Sequence, residues 1–315
     1  MIGAMDSGNR LIQIIKSQSR IWMIFLSMLI GTVFPAFGAL SWMIQYLLVV
    51  MLFFSFSQID LRQTKFPPQL AYVVIANMVL GIGAYFVVAP WDADLAKAAF
   101  ITAIAPTAIS STVITGLLGR NIAFVSTAVL LTNITAAVVV PLLLPLLDIA
   151  DATIPTAQIL TPVLATLLIP LIASRFVGFL PVHARHSLMA RNRYSFYLWL
   201  ATLIIVVAKT VQFIESQQDL DGSKVISIAI ISLVLCVVNF SVGYLIGGKA
   251  YAAESSQSLG QKNNSFVVWI ALTFINPLAA LGPTFYILYH NLYNSWQIIR
   301  HSSGQPLPKD EVIRQ

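Results

Sequence analysis

The chain has 315 residues, 58% of them hydrophobic and only 10% charged, with a mean hydropathy of +0.83. About a quarter of a soluble domain is charged, so a water-soluble enzyme or nucleic-acid binder is excluded, and the +6 net charge must be explained by where the charges sit. The single cysteine, Cys236, lies in an apolar run and rules out a disulfide framework or a cysteine-based metal site.

Residues 1–20 are too polar and basic for a secretory signal. There Leu11, Ile12, Ile14 and Ile15 beside Lys16 and Arg20 predict a cytoplasmic amphipathic segment lying in the membrane interface. Ten segments then meet the requirement of a spanning helix for roughly 20 apolar residues. They are Ile21–Phe37, Ser41–Phe56, Gln69–Val88, Ala96–Leu118, Ile122–Leu147, Ala157–Leu180, Tyr194–Gln212, Val225–Ile246, Glu254–Phe274 and Pro277–Ile299. The second is short, and the fourth and ninth are polar in the middle. Residues 300–315 are read as a cytoplasmic tail.

The charges agree with ten spans. With the N-terminus inside, the inner face holds 14 of the 18 Lys and Arg. The outer loops hold Asp92, Asp94, Asp148, Asp151, Glu215, Asp219 and Asp221 against only Lys97 and Lys224. Basic residues favour the cytoplasmic side. The expectation is an all-α polytopic protein of a bacterial-type inner (plasma) membrane, with both termini cytoplasmic and the lipid bilayer as its surroundings. The longest inner loop, between the sixth and seventh spans, carries His183, Arg185, His186, Arg191 and Arg193, which fits topology and contact with anionic lipid. Trp22, Trp42, Trp91 and Trp296 fall near span ends as an aromatic belt. Lys209 is read as snorkelling to the interface.

A division near residue 152 leaves five spans on each side, 21–152 and 153–299. An odd number of spans inverts the second half, as in the inverted repeats of secondary transporters. In such proteins the binding site lies at interrupted segments in corresponding positions of the two halves. Here the fourth segment of the first half contains Pro106–Thr107–Ala108–Ile109–Ser110–Ser111–Thr112. The fourth of the second half contains Ser255–Ser256–Gln257–Ser258–Leu259–Gly260–Gln261–Lys262–Asn263–Asn264. Such stretches cannot face lipid, because unsatisfied polar groups cost several kcal/mol each. They either join helices by hydrogen bonds or line a site where broken helices free backbone groups for a solute. A mid-membrane lysine favours the second reading.

At these residues the sequence resembles the bile acid:sodium symporter family. The family's helix-nine motif E-x-G-x-Q-N is matched by Ser258–Leu259–Gly260–Gln261–Lys262–Asn263, and its helix-four motif P-G-G-T-A-S-N-V by Pro106 to Val113, with Pro106, Ser111 and Val113 retained. The helix-five start G-N-V-A is matched by Arg120–Asn121–Ile122–Ala123. The helix-ten motif P-L-A-A-L…W-H-N is matched by Pro277–Leu278–Ala279–Ala280–Leu281 and Tyr289–His290–Asn291. The resemblance implies a panel of helices one, two, six and seven, and a core containing crossed, broken helices four and nine. It also implies secondary transport of amphipathic organic anions coupled to two sodium ions. Substrate contacts are then expected at Ser110, Ser111, Thr112, Asn263, Asn264, His290 and Asn291, although helix–helix hydrogen bonding serves the last two equally well.

The departures fall on the sodium ligands. The family's helix-nine glutamate is Ser258 here, the neighbouring glutamine is Lys262, and the helix-four asparagine is Thr112. Two helix-five hydroxyl ligands fall at Val125 and Val129 in an ungapped register, with Ser126, Thr127 and Thr132 close by. The helix-three glutamine corresponds to Asn77. Two unit charges about 4 Å apart repel by roughly 4 kcal/mol at an effective dielectric near 20, so an ammonium at Lys262 suffices to evict a sodium ion. Lys262, Ser258, Gln261 and Asn77 are expected to form the equivalent of a cation site, with Lys262 as a built-in cation. Glu254, one turn before Ser258, is either a solvated acid at the start of a helix or a substitute sodium ligand.

The sequence therefore predicts alternating-access transport of an organic anion, a bile-acid-like steroid or a small carboxylate, without obligatory sodium coupling. The alternatives are a sodium-coupled symporter using Glu254 or helix-five hydroxyls, and a non-transporting membrane sensor. No phosphate-binding glycine loop, HExxH or nucleophile elbow is present, so an enzyme is not expected, nor a cofactor, a metal or a nucleic-acid partner.

Overall fold

The computed structural model describes residues 22–58, 66–149, 154–216 and 222–304. The expected interfacial segment at 1–20 lies outside the described residues, as do 305–315 and several charged loop positions, among them Arg62, Lys65, Asp151, Asp219 and Asp221.

The described chain is almost entirely helical. Helix α1 spans Trp22–Val33 and leads into a 3-10 segment at Pro35–Leu40. There follow α2 (Met43–Ser57), α3 (Pro68–Val88), α4 (Ala93–Ala103), α5 (Ser110–Leu117), α6 (Ile122–Leu146) and α7 (Thr156–Phe176). The second half contributes α8 (Val182–Ala190), α9 (Ser195–Ser216), α10 (Gly222–Gly260), α11 (Asn264–Phe274) and α12 (Pro277–Gly304). Five stretches are long and apolar enough to cross a membrane: α3, α6, α7 with the turn after it, α8 together with α9, and α10. Their outward faces are apolar, as at Ile75, Val79 and Phe86 of α3, each more than half exposed. Trp22, Trp42, Trp91 and Trp296 are likewise exposed. A surface of this kind is stable only in lipid.

Three local features differ from expectation. The segment expected to be an inner loop is not a loop at 182–190: α8 forms there behind Pro181, which stands at its N-cap, and none of its residues is buried. The eighth and ninth segments are not separated by a coil. Helical geometry runs to Gly260 with non-helical backbone only at Gly248 and Tyr251, so the chain reverses within a few residues. Gly248 makes this possible by adopting φ +58°, a region that favours glycine. Finally, α12 extends to Gly304, beyond the expected end of the last span.

The helices pack in two groups. Helix α9 packs on the 3-10 segment and on α2, and α2 packs on α7. In the other group α3 packs on α4, α12 on α4, and α10 on both α3 and α12. Helices α6, α11 and α12 make the contacts between the groups, against α7, α2 and α9.

At one end α4 is started by Asp92, whose carboxylate accepts from the N–H groups of Asp94 and Leu95 at 2.8 and 3.0 Å. Lys224 at the start of α10 lies 2.9 Å from Asp92 and 3.1 Å from Asp94. Burial alone would raise the Asp92 carboxyl, but the Leu95 N–H, the Lys224 ammonium and the Asp94 N–H hold it below its ordinary value. The same contacts, led by the hydrogen bond to Asp92, raise Lys224. A lowered acid stabilises the fold above the unfolded carboxylate value and loses this as pH falls through the folded one. A raised lysine stabilises below its unfolded value and loses this as pH rises through the folded one. Lys224→Gln should thus cost up to about 1 kcal/mol at neutral pH, as for partly exposed pairs. Melting curves of variant and wild type should converge as the pH falls below roughly 4.

Candidate functional site: two interrupted helices that meet

Both polar stretches singled out in the sequence are helix interruptions. Pro106 has no N–H to give and pushes the preceding residue out of helical geometry; α4 ends at Ala103 and α5 begins only at Ser110. In the second half α10 ends at Gly260 and α11 begins at Asn264. The two breaks lie against each other. Thr107 and Lys262 form an antiparallel bridge, flanked by the Ala108 N–H donating to the Gln261 carbonyl at 2.8 Å and the Asn263 N–H donating to the Pro106 carbonyl at 2.7 Å. These backbone groups, expected to be free for a solute, are paired with each other. In a low-dielectric interior an unmade backbone hydrogen bond is expensive, and mutual pairing removes that cost.

Helix α6 braces the crossing. The Thr132 hydroxyl accepts from the Thr107 N–H at 3.0 Å, and the Asn133 amide donates to the Thr107 carbonyl at 2.9 Å. Asn133 also accepts from the Asn263 amide at 3.3 Å. The Thr107 hydroxyl reaches across to the Ser258 carbonyl at 2.5 Å. Val125 and Val129 are buried without a polar role, and Thr132 is the helix-five hydroxyl that reaches the crossing.

Lys262 is 1% exposed. Its ammonium donates to the Ala103 carbonyl at 2.9 Å and to the Asn77 side-chain oxygen. The Asn77 amide in turn donates to the Ile104 carbonyl at 2.9 Å. Ala103 is the last residue of α4 and Ile104 its C-cap, where carbonyls lack helical partners and the helix dipole is negative. The lysine therefore sits where the fold offers a cation several oxygens. No acidic side chain forms an ion pair with Lys262 among the described residues, and no group of three His, Cys, Asp or Glu that could hold a metal occurs there.

Gly260 sets the approach of α10 to this point. A Cβ there would lie 2.3 Å from the Phe240 ring, and the Gly260 carbonyl accepts from the Tyr286 hydroxyl at 2.7 Å. Gly260→Ala should cost about 1–3 kcal/mol by overpacking. The melting temperature of purified protein measures this.

A polar seam runs from the crossing along α12. Gln257 donates to Asn294 at 3.2 Å and also to Gln297, and the Asn264 amide lies 3.4 Å from His290 Nδ1. The Gln261 amide donates to Ser110 at 2.7 Å. Four buried amide atoms in the seam have no protein partner: Gln257 Oε1, Gln261 Oε1, Asn264 Oδ1 and Asn294 Nδ2. Buried polar atoms of this kind are normally hydrogen-bonded, so the seam is equipped for a ligand or water that offers both donors and acceptors.

The expected residues divide accordingly. Lys262, Asn77, Gln261, Asn263, Asn264, Ser110 and His290 are brought into the crossing and seam. Ser111, Thr112 and Asn291 turn their side chains onto their own helices, to Ala108, Ile109 and Ile287 carbonyls. Ser258 contributes its carbonyl, while its hydroxyl bonds to the Glu254 carbonyl at 2.8 Å. Glu254 is not solvated: it is 5% exposed, and its carboxylate accepts from the Asn121 N–H at 3.0 Å, where α6 begins. The start of α6 carries unpaired N–H groups and positive dipole character, which explains an acid there. Glu254→Ala should cost roughly 1–2 kcal/mol and Glu254→Gln less, since the amide keeps an acceptor; thermal melts distinguish them. Thr107 and Gln257 were marked only as members of the two polar stretches, and Asn133 and Asn294 were not singled out from sequence. For Asn133 a signal existed, since it is the one amide side chain in the 25-residue helix α6.

No family model and no curated protein matches the chain.

Proposed function

We propose that this chain is a secondary transporter of the bile acid:sodium symporter type, with ten spans in two inverted five-helix repeats. It moves an organic anion by alternating access, with Lys262 in place of a bound sodium ion. The observation that carries this reading is the buried Lys262 ammonium on the Asn77 oxygen and the end of α4, beside the bridged breaks of two helices. A structural protein gains little from burying a cation and four unpaired amide atoms at the meeting of two broken helices. A transporter needs such a point, where solute can be held and two bundles can rock. The positions support the repeat: α4 with α5, and the end of α10 with α11, are the fourth segments of the two halves. The two packing groups fit the panel and core of that family, with α2, α7 and α9 in the panel together with α1, whose Ile24 packs on Leu203 and Val207 of α9.

The substrate seat in this reading is the seam of Ser110, Gln261, Asn263, Asn264 and His290, extended by Gln257 and Asn294. Sodium coupling through Glu254 is disfavoured, because its carboxylate is engaged at the start of α6. Uptake of labelled organic anions into proteoliposomes, with sodium replaced by choline, tests the proposal. Uptake is expected to be unchanged by the replacement. Sodium-dependent uptake restores the symporter alternative, and specific binding without uptake supports the sensor.

A further inference from the structure

A cavity of about 490 Å³ lies outside the crossing, between α10 and α12. It runs from Leu233 to Leu245 along α10 and is closed on the other side by Tyr289, Leu292 and Tyr293 of α12. Its sides open laterally, since Val237 is 60% and Leu245 74% exposed. The lining carries no charge. Twelve residues of helix rise about 18 Å, close to the roughly 15 Å hydrocarbon depth of one leaflet.

The groove has a charged end. The Ser232 hydroxyl donates to the Gly282 carbonyl at 2.9 Å, and the Phe240 and Tyr293 rings lie 4.4 Å apart. These pairs set α10 and α12 parallel. Helix α10 continues seven residues beyond Phe240, to Gly247, before the turn that carries Lys249, and Arg300 comes seven residues beyond Tyr293, so both cations lie past the same end of the groove, Arg300 about 10 Å on. Arg300 stands over the Trp296 ring at 5.2 Å, and Trp296 stacks on Tyr293 at 5.6 Å, which continues the α12 side of the groove up to the guanidinium. Neither cation forms an ion pair with a described residue.

We propose that this groove is a site for one anionic phospholipid, with an acyl chain along α10 and α12 and the headgroup phosphate at Lys249 and Arg300. The length matches one leaflet, the walls are mainly apolar and aromatic, and cations without an acidic partner stand at one end only, since Lys224 toward the other end is paired with Asp92 and Asp94. The lining offers a soluble anion only the hydroxyls of Ser241, Ser256 and the tyrosines and no charge, and a zwitterionic lipid gains less from two cations. The site is independent of the transport reading.

The test uses the full-length protein in phosphatidylcholine nanodiscs, with phosphatidylglycerol carrying a photoactivatable acyl chain. Cross-links should concentrate on peptides containing 233–245 and 289–293. At low salt, unlabelled phosphatidylglycerol should compete roughly thirty-fold better than phosphatidylcholine of the same chains, from two basic residues near a headgroup. That preference should shrink as salt rises. In Lys249→Gln/Arg300→Gln the same peptides should still label, but the two lipids should compete alike, while Lys249→Arg/Arg300→Lys should keep the preference. Leu292→Trp, which fills the groove, should reduce labelling there and leave labelling of α3 unchanged. Labelling spread evenly over α3, α7 and α10, equal competition in the wild type, or a preference that survives loss of both cations would overturn the proposal.

Discussion

Lys262→Ala should lower the stability of the protein by about 2–5 kcal/mol and, in the proposed transporter, abolish transport. The ammonium satisfies two buried acceptors, the Asn77 side-chain oxygen and the Ala103 carbonyl. Each acceptor left without a donor costs about 1–3 kcal/mol. The melting temperature should fall by roughly 5–15 °C, on the scale of a few degrees per kcal/mol for a chain of this size. Lys262→Arg should rescue poorly, because a planar guanidinium is larger than the compact ammonium it replaces and the site is closed on all sides. A variant that melts like the wild type would mean the lysine holds nothing together.

In the proposed transporter the same residue decides what drives transport. If Lys262 keeps its charge throughout the cycle, it acts as a fixed cation and the protein is a uniporter driven by the anion gradient. If it releases its proton in one state, transport is linked to the proton gradient. The oxygens around it, from Asn77 and the end of α4, solvate an ammonium and favour the fixed cation. Uptake into proteoliposomes should then be the same with and without an imposed pH gradient. Accumulation that follows the gradient in the wild type, but not in a folded Lys262 variant, rejects the fixed cation.

The sequence marks the crossing well because a membrane makes polar residues conspicuous. A lysine and two asparagines in an apolar segment cannot face lipid, and Pro106 announces a break. Pairing Asn77 with Lys262 needed the family motif, since 185 residues separate the two. What periodicity cannot give is direction. Ser111, Thr112 and Asn291 sit in the right segments, yet their short side chains bond to their own helices, an option open to any serine, threonine or asparagine within a helix. Glu254 misled for a related reason. Its position beside Lys249 suggested solvent, but the chain turns at Gly248 and folds the acid against the start of α6. The apolar groove between α10 and α12 left no mark, because a stripe of Leu, Val, Phe and Tyr looks the same whether it faces a neighbouring helix or an open furrow.

Ser258→Glu combined with Lys262→Gln should create sodium binding where the wild type has none. Removing the ammonium exposes the Asn77 oxygen and the Ala103 carbonyl as hard oxygen ligands, and the glutamate supplies the missing negative charge one turn earlier in α10. Ser258 is suited to this test because its hydroxyl does no more than bond the Glu254 carbonyl of its own helix, while its backbone carbonyl holds Thr107. The substitution therefore leaves the bridge between the two breaks in place. Neither change alone should succeed. Ser258→Glu alone gives Lys262 a carboxylate to pair with, and Lys262→Gln alone leaves neutral oxygens with nothing to offset the ion's charge. Binding to the folded state raises stability by about 2.7 kcal/mol at a concentration one hundred times the dissociation constant. The double variant should therefore melt higher in sodium than in potassium at equal ionic strength, and the wild type should show no difference. A folded double variant indifferent to sodium would show that Lys262 does not occupy an ion's place, and the proposed sodium-independent mechanism would lose its basis.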